Sequence, residues 1–372
     1  MFLQSDVEDP FAIYSRMLAE NPVFWDELNG LWAIYSYRDC VFLFNHHGAQ
    51  IPAQNAAQNG KLNRYAIILI ENLARLGNPP KHLRLRQIAA LIFEAMRFVD
   101  TANLLDGLIE NEASEIDWVS ICKKLPVLTL LRGFGFTISA CEEIAAQIES
   151  LTKIMLPVKT DEQILSVNYA AGRVYPMIAD HLEKTDFLMN SEVLKPFERN
   201  EIRDALVSNL IGLLIQSCDA GRGLLSNSLL RLLRRKQNYN GDFIRQTVIE
   251  TVRYDSPVHN TRRILVEDVT IGEAQMKKGQ PLLLILAAAN RDAEKFSQPD
   301  KFDIGRANNS ESLTFGAGGH ACLAKHFSIN LTVNVLTCLL EKFPASRILE
   351  DKISYEPLVN ARLPGKITVK LK

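Results

Sequence analysis

The sequence carries no excess of either charge: 42 Lys and Arg against 43 Asp and Glu leave a formal net charge of −1. A chain this neutral has no bulk electrostatic reason to hold nucleic acid or an anionic membrane surface. No apolar run approaches the roughly 20 residues that cross a bilayer. Its first residues, Met1-Phe-Leu-Gln-Ser-Asp-Val-Glu-Asp-Pro10, lack the basic segment and apolar core of a secretory signal. The six cysteines (40, 122, 141, 218, 322 and 338) make no C-x-x-C pair, so the usual zinc spacing is missing. Scattered cysteines in so long a chain fit a reducing compartment. We expect a cytoplasmic protein with no membrane and no nucleic-acid partner.

What is present is ordinary for a soluble enzyme, with 47% hydrophobic and 23% charged residues over 372 positions. One stretch concentrates the chemistry: Leu313-Thr-Phe-Gly-Ala-Gly-Gly-His-Ala-Cys322-Leu-Ala324. Gly316, Gly318 and Gly319 let the backbone lie flat against a planar ligand. From Leu323, apolar residues recur at Phe327, Leu331, Val335 and Leu339, the spacing of an inward-facing helix. Cys322 thus falls at a helix start, where free N–H groups favour a thiolate. The plainer reading is a buried free cysteine at a tight turn.

Elsewhere the pattern is mostly helical. Asp9-Pro10 starts a short amphipathic helix, Asn29-Gly30 turns a small hairpin ending in Leu31-Trp-Ala-Ile, and Tyr37 opens another helix. Residues 46–60 read as a loop. His82 and Arg86 follow Pro79-Pro80 and share a helical face, which by itself suggests an exposed basic surface. Residues 125–135 are apolar core. A long helix is expected over 196–235, apolar on nearly every face at 206–215, with a polar, glycine-containing middle at 216–223 that predicts a kink. There Asp219 and Arg222 are placed for an ion pair. Asp242 is expected to cap a helix ended by Pro257 and carrying Glu250 and Arg253 three apart. Strands follow in 258–286, and 358–365 reads as a hairpin.

The run Phe315, Gly316, Gly318, His320, Cys322, Ala324 resembles the haem-binding loop of the cytochrome P450 family. The resemblance implies the cytochrome P450 fold, mainly α with small β-sheets, as a single domain over 1–372. Haem b (iron protoporphyrin IX) would lie between the long central helix and the helix following the Cys loop. It makes Cys322 the iron ligand, with Phe315, Gly316, His320 and Ala324 around the cofactor and His82, Arg86 and Arg263 on its propionates. Glu250 and Arg253 match the family's structural Glu-x-x-Arg pair, and Asn290-Arg-Asp292 and Phe296-x-x-Pro-x-x-Phe302 match elements that brace the same side. His259 and Asn260 would face the substrate. Thr160–Glu183 falls where the family places mobile lid helices.

One departure stands out. The family's acid–threonine pair over the iron aligns with Asp219 and Ala220, and Gln216 and Ser217 align with its small residues. Alanine has no hydroxyl to position the water chain that delivers protons. The substrate's own hydroxyl, then Ser217 or Gln216, could complete the relay; otherwise the chemistry does without it. The resemblance implies a monooxygenase acting on a small organic molecule or biosynthetic intermediate in secondary metabolism, fed by a separate ferredoxin or flavodoxin with its reductase. A peroxide-driven peroxygenase, a haem-thiolate isomerase or dehydratase, and a non-catalytic ligand-binding haem protein are the alternatives.

Overall fold

Asp9 accepts the Phe11 N–H at 2.9 Å and Pro10 fills the first helical position, so α1 (Pro10–Glu20) starts where the Asp-Pro signal places it. The computed structural model describes residues 2–53, 60–109, 114–156, 158–185, 199–234 and 239–372. They form two compact units, each discontinuous in sequence. The first holds Met1–Gln50, Thr101–Lys123 and Asp219–Lys372; the second holds Ile51–Asp100 and Lys124–Cys218.

The first unit contains all the described strands. β1 (Val23–Asp26) and β2 (Leu31–Ile34) form the hairpin around Gly30, whose φ of 58° is the reason a glycine is needed there. After α2 (Tyr37–Asn45) comes β3 (Ala49–Gln50), a two-residue strand inside the segment read as loop, whose residues 54–59 lie outside the described ones. Then come β4 (Glu115–Asp117), β5 (Thr261–Leu265), β6 (Val269–Ile271), β7 (Ala274–Met276) and β8 (Pro281–Leu284), with β9 (Arg347–Ile348) and β10 (Thr368–Lys370) last. The main sheet has the order β1-β2-β8-β5-β3, with only the β2–β8 pair parallel. Successive residues point to opposite faces. Ile34, Leu282 and Leu284 pack with Leu43 of α2 on one side, and Ala33 and Leu283 with Tyr14 of α1 on the other. Burial on both faces explains why β8 reads as an unbroken apolar run.

The second unit is helical: α3 (Arg64–Asn72), α4 (Lys81–Glu94), α7 (Ile138–Thr152) and α8 (Asp161–Thr185). Asn63 caps α3 and is itself held by Asn168 of α8, through bonds of 2.7 and 2.6 Å. The helices α7 and α8 pack on each other, and Ile144, Ile148 and Leu151 of the first and Val167, Ala170, Val174 and Ile178 of the second, spaced three and four apart, are almost wholly buried. Two helices have residues in both units: α6 (Trp118–Gly133) and α9 (Arg199–Leu233); α5 (Thr101–Leu108) belongs to the first. No described helix is long and apolar enough to cross a membrane.

Three local expectations are corrected. The helix α9 runs unbroken through Gln216–Gly223, because tight packing on the apolar turns before and after outweighs glycine's weak propensity. The helix α10 (Gly241–Tyr254) is capped by Asn240, which accepts the Phe243 N–H at 2.8 Å; Asp242 sits in its first turn. Cys322 lies two residues before Ala324, the N-cap of α11 (Lys325–Lys342), rather than at the helix start itself.

Candidate functional site

Glu250 and Arg253 fall three apart on α10, on one face, and neither side chain has any exposed surface. Buried charges persist only when every lone pair and proton is used. Arg253 donates to Glu250 through Nε and Nη2 (Nη2–Oε1 2.6 Å), to the carbonyls of Asn290 and Pro299 through Nη1, and to that of Lys301 through Nη2. Glu250 also accepts the Asp303 N–H at 3.1 Å and lies 3.5 Å from Nε of Arg306. The pair ties α10 to 290–306, where the sequence places its structural role. Arg306 was not foreseen; its only signal is a position three residues beyond Asp303.

The cysteine loop hangs from this block. Thr314 Oγ1 donates to Val252 O of α10 and accepts from Asn290 Nδ2 (2.8 Å), whose Oδ1 takes the Leu313 N–H (2.6 Å). Beyond this anchor the Gly316 N–H closes a turn onto Leu313 O, and the Cys322 N–H donates to Phe315 O at 2.8 Å, so the loop returns on itself. Gly316 (φ 68°) and Gly318 (φ 64°) have backbones that side-chain residues resist. At Gly318 a Cβ would lie 2.6 Å from Phe44 O, so α2 backs the loop directly. His320 closes a short 3-10 turn, Gly318–His320.

Cys322 is the exposed one of the six cysteines. Burial pushes the thiols of Cys40 and Cys122 far up and that of Cys141 up to about 11, so those three serve as small apolar side chains. Arg263 on β5 is buried beside Phe44 (5.2 Å from ring centroid) and donates to Arg262 O at 2.7 Å. An accessible soft thiol on a glycine loop that cannot accept a Cβ, with Arg263 and His320 in the same unit, fits an iron porphyrin carrying anionic arms.

The middle of α9 bears the residues aligned with the relay. Gln216 Nε2 donates to Gly212 O (2.9 Å) and Ser217 Oγ to Leu214 O (2.8 Å), both on their own helix. Asp219 pairs with Arg222 at 3.0 Å, as its spacing allows. Arg222 is buried and grips Glu356 through both Nη atoms, at 2.8 and 2.7 Å. Glu356 stands 134 positions away in sequence, and no local pattern announces it. Ala220 supplies only a methyl group.

In the second unit, His82 is buried and Arg86 half-buried on α4, on the shared face expected. Burial and then the Arg86 guanidinium hold the His82 imidazole below its ordinary pKa, so it is a neutral donor near neutral pH. A cleft of about 590 Å³ in the same unit is lined by Arg64, Tyr65, Tyr175, Arg203 and Asp204 among others; it contains none of the expected site residues. His259 departs from expectation. It is fully buried against Phe11 and Tyr14 of α1, its Nδ1 3.0 Å from the Tyr14 hydroxyl, and does not line an open substrate face. Asn260 is tied to Val359 O at 2.9 Å.

Residues 241–369 match the family model described as Cytochrome P450. The biotin biosynthesis cytochrome P450 of Bacillus subtilis is 25% identical, the alignment covering 98% of this chain and 96% of that one. A putative cytochrome P450 133B2 of Xylella fastidiosa is 28% identical over 77% of this chain and 76% of its own. Among solved structures, P450BioI in complex with an acyl carrier protein ligated to hexadec-9Z-enoic acid superposes with a TM-score of 0.84, at 22% identity, covering 99% of this chain and all of that one. CYP109E1 from Bacillus megaterium in complex with testosterone gives 0.82 at 21% identity, over 98% and 99%. The anchored cysteine loop, the buried Glu250–Arg253 pair and these likenesses agree: residues 241–369 match cytochrome P450, and along its whole length the chain is similar to members of that family, oxidoreductases that bind haem and act as monooxygenases.

Proposed function

We propose that residues 1–372 act as one haem-thiolate monooxygenase domain that inserts one atom of dioxygen into a small organic or biosynthetic-intermediate substrate, and that the substrate itself supplies the hydroxyl of the proton relay. Haem b bound through the Cys322 thiolate supplies the one-electron and dioxygen chemistry of such a reaction. The chain's own residues orient and neutralise it: Arg263, His320, His82 and Arg86 are the cations and donors for its carboxylates. Phe315, Gly316 and Ala324 keep the thiolate side close and apolar, and Glu250 with Arg253 holds the backbone beneath.

The observation that carries the relay assignment is the state of α9. Ala220 has no hydroxyl, Ser217 and Gln216 spend theirs and their amide on helix carbonyls, and Asp219 is paired with Arg222. A proton donor placed by the substrate fills the gap with no rearrangement of the helix. The same gap favours one second reading, a peroxide-driven peroxygenase, since peroxide arrives with its protons and needs no reductase. Electrons in the first reading come from a separate ferredoxin or flavodoxin with its reductase, in the cytoplasm. The relatives, which include a biotin-biosynthesis enzyme and complexes with an acyl carrier protein and with a steroid, support offering both carrier-bound acyl chains and free polycyclic alcohols.

The test is isotopic. Purified haem-loaded protein is given host extract, surrogate ferredoxin and reductase, and oxygen-18 gas, and products are sought by mass spectrometry. A product with one labelled oxygen supports monooxygenation. Consumption without label overturns it, and turnover with unlabelled peroxide alone moves the assignment to the second reading.

A further inference from the structure

Outside the haem machinery, the end of α2 and the turn between β5 and β6 bring two imidazoles and a carboxylate together. His47 Nε2 lies 2.8 Å and His46 Nδ1 3.7 Å from the same oxygen, Oε1 of Glu267. One ligand atom from each residue lies within 4.8 Å of the others. The two rings are stacked, 4.9 Å between centroids and 10° from parallel, and His46 is braced from behind by Phe42. An ordinary ion pair would use one imidazole; here two are aimed at one oxygen.

The backbone holds the arrangement. Gly48 O accepts the Val266 N–H at 2.9 Å, and Ala49 pairs with Leu265, so the histidines and Glu267 are carried on two hydrogen-bonded strands. A Cβ at Gly48 would meet Glu267 Oε1 at 2.5 Å, so glycine is what lets the carboxylate close on the histidines. We propose that His46, His47 and Glu267 form a surface site for a divalent transition metal, zinc first among them. Imidazole and carboxylate oxygen are zinc's usual ligands, and bonds of about 2.0–2.2 Å place tetrahedral ligands roughly 3.3–3.5 Å apart. The observed separations bracket that value, so binding needs shifts of an ångström or so in side chains that are partly exposed. At His46 Nδ1 the metal replaces the Gly48 N–H, which now donates to it at 3.0 Å. Water completes the coordination. The ion would clip the β5–β6 turn to the segment just beyond Phe44 and Asn45, the residues that back Gly318 of the cysteine loop.

The proposal stands apart from the haem assignment and is tested on haem-loaded, untagged full-length protein stripped with chelator and titrated with zinc alone by calorimetry. One saturable zinc per chain is expected. Glu267→Gln and His47→Gln should each weaken it at least about tenfold, since even partners one bond removed from a metal are worth 10–100-fold. Gly48→Ala, which keeps all three ligands but displaces the carboxylate, should weaken it too. Circular dichroism establishes that each variant is folded, and the zinc absorption edge reads the ligands directly. No saturable binding by the wild type, unchanged affinity in the folded ligand variants, or a sulfur-ligated zinc spectrum would overturn the site.

Discussion

Arg222 gives both Nη atoms to Glu356, at 2.8 and 2.7 Å, and shares Nη2 with Asp219 at 3.0 Å. A planar guanidinium that meets a carboxylate two-on-two is fixed in direction as well as charge. Asp219 therefore shares a cation already committed elsewhere and is fixed in place by it, a poor arrangement for a group that must swing to carry protons. Asp219→Asn is expected to lower product formation less than tenfold. A general acid or base in the relay contributes 10²–10⁴-fold, so a loss beyond a hundredfold in single-turnover product would make Asp219 the carrier.

Ala220 offers the complementary experiment. Restoring a hydroxyl with Ala220→Thr should change turnover of the true substrate little. It should rescue product from an analogue lacking the hydroxyl that, in the proposed relay, delivers protons. The readout is product formed per electron consumed, for both compounds and both proteins. Failure of the variant to improve on the analogue would remove the substrate-assisted relay.

Gly318 tests how the cysteine loop is built. Gly318→Ala meets two penalties, a left-handed backbone worth about 1–2 kcal/mol and a Cβ 2.6 Å from Phe44 O. Gly272 has a similar φ (56°) but open space around it, so Gly272→Ala carries the first penalty alone. The expectation is faster haem loss in Gly318→Ala, measured by transfer to an apoglobin. Gly272→Ala should lose haem at the wild-type rate.

Arg253→Ala removes one half of a pair with no exposed surface and leaves Glu250 and three carbonyls without their partner. Breaking a buried pair in this way costs about 3–5 kcal/mol, a large share of a domain's stability. Urea unfolding should show the loss. Cys322→Ser removes an exposed thiol and should unfold at nearly the same urea concentration when both proteins are compared without haem, while losing all thiolate-type haem absorption.

The features legible in the sequence are those whose partners lie close along the chain or whose geometry a local pattern fixes. Asp9-Pro10, Asn29-Gly30, the Glu250–Arg253 spacing and the glycines around Cys322 are of that kind. Arg306 and Glu356 were missed because they reach Glu250 and Arg222 across 56 and 134 positions. The glycine-containing middle of α9 stays helical for a related reason: glycine's weak preference is local, and burial of Leu210, Leu214, Leu224 and Leu225 on the turns either side overrides it. His259 looked like a pocket residue because it precedes Arg263, yet its packing partner Tyr14 lies 245 positions earlier.

That buried His259 makes stability depend on acid. Burial, then the Arg362 and Arg291 charges, lower its imidazole from the ordinary 6.5 to about 3. The Tyr14 hydroxyl, which accepts from Gln4 Nε2 (3.2 Å), lies 3.0 Å from Nδ1 of the neutral ring. The folded state thus binds fewer protons than the unfolded chain between pH 3 and 6.5. The stabilisation is complete above 6.5 and is lost as pH falls toward 3, at up to about 1.4 kcal/mol per unit. Between pH 7 and 5 the group alone should remove roughly 2 kcal/mol. Urea midpoints at those two pH values should fall more steeply for the wild type than for His259→Asn. That variant keeps a polar side chain facing Tyr14 but does not titrate. Equal slopes would mean that His259 is not held neutral by its surroundings.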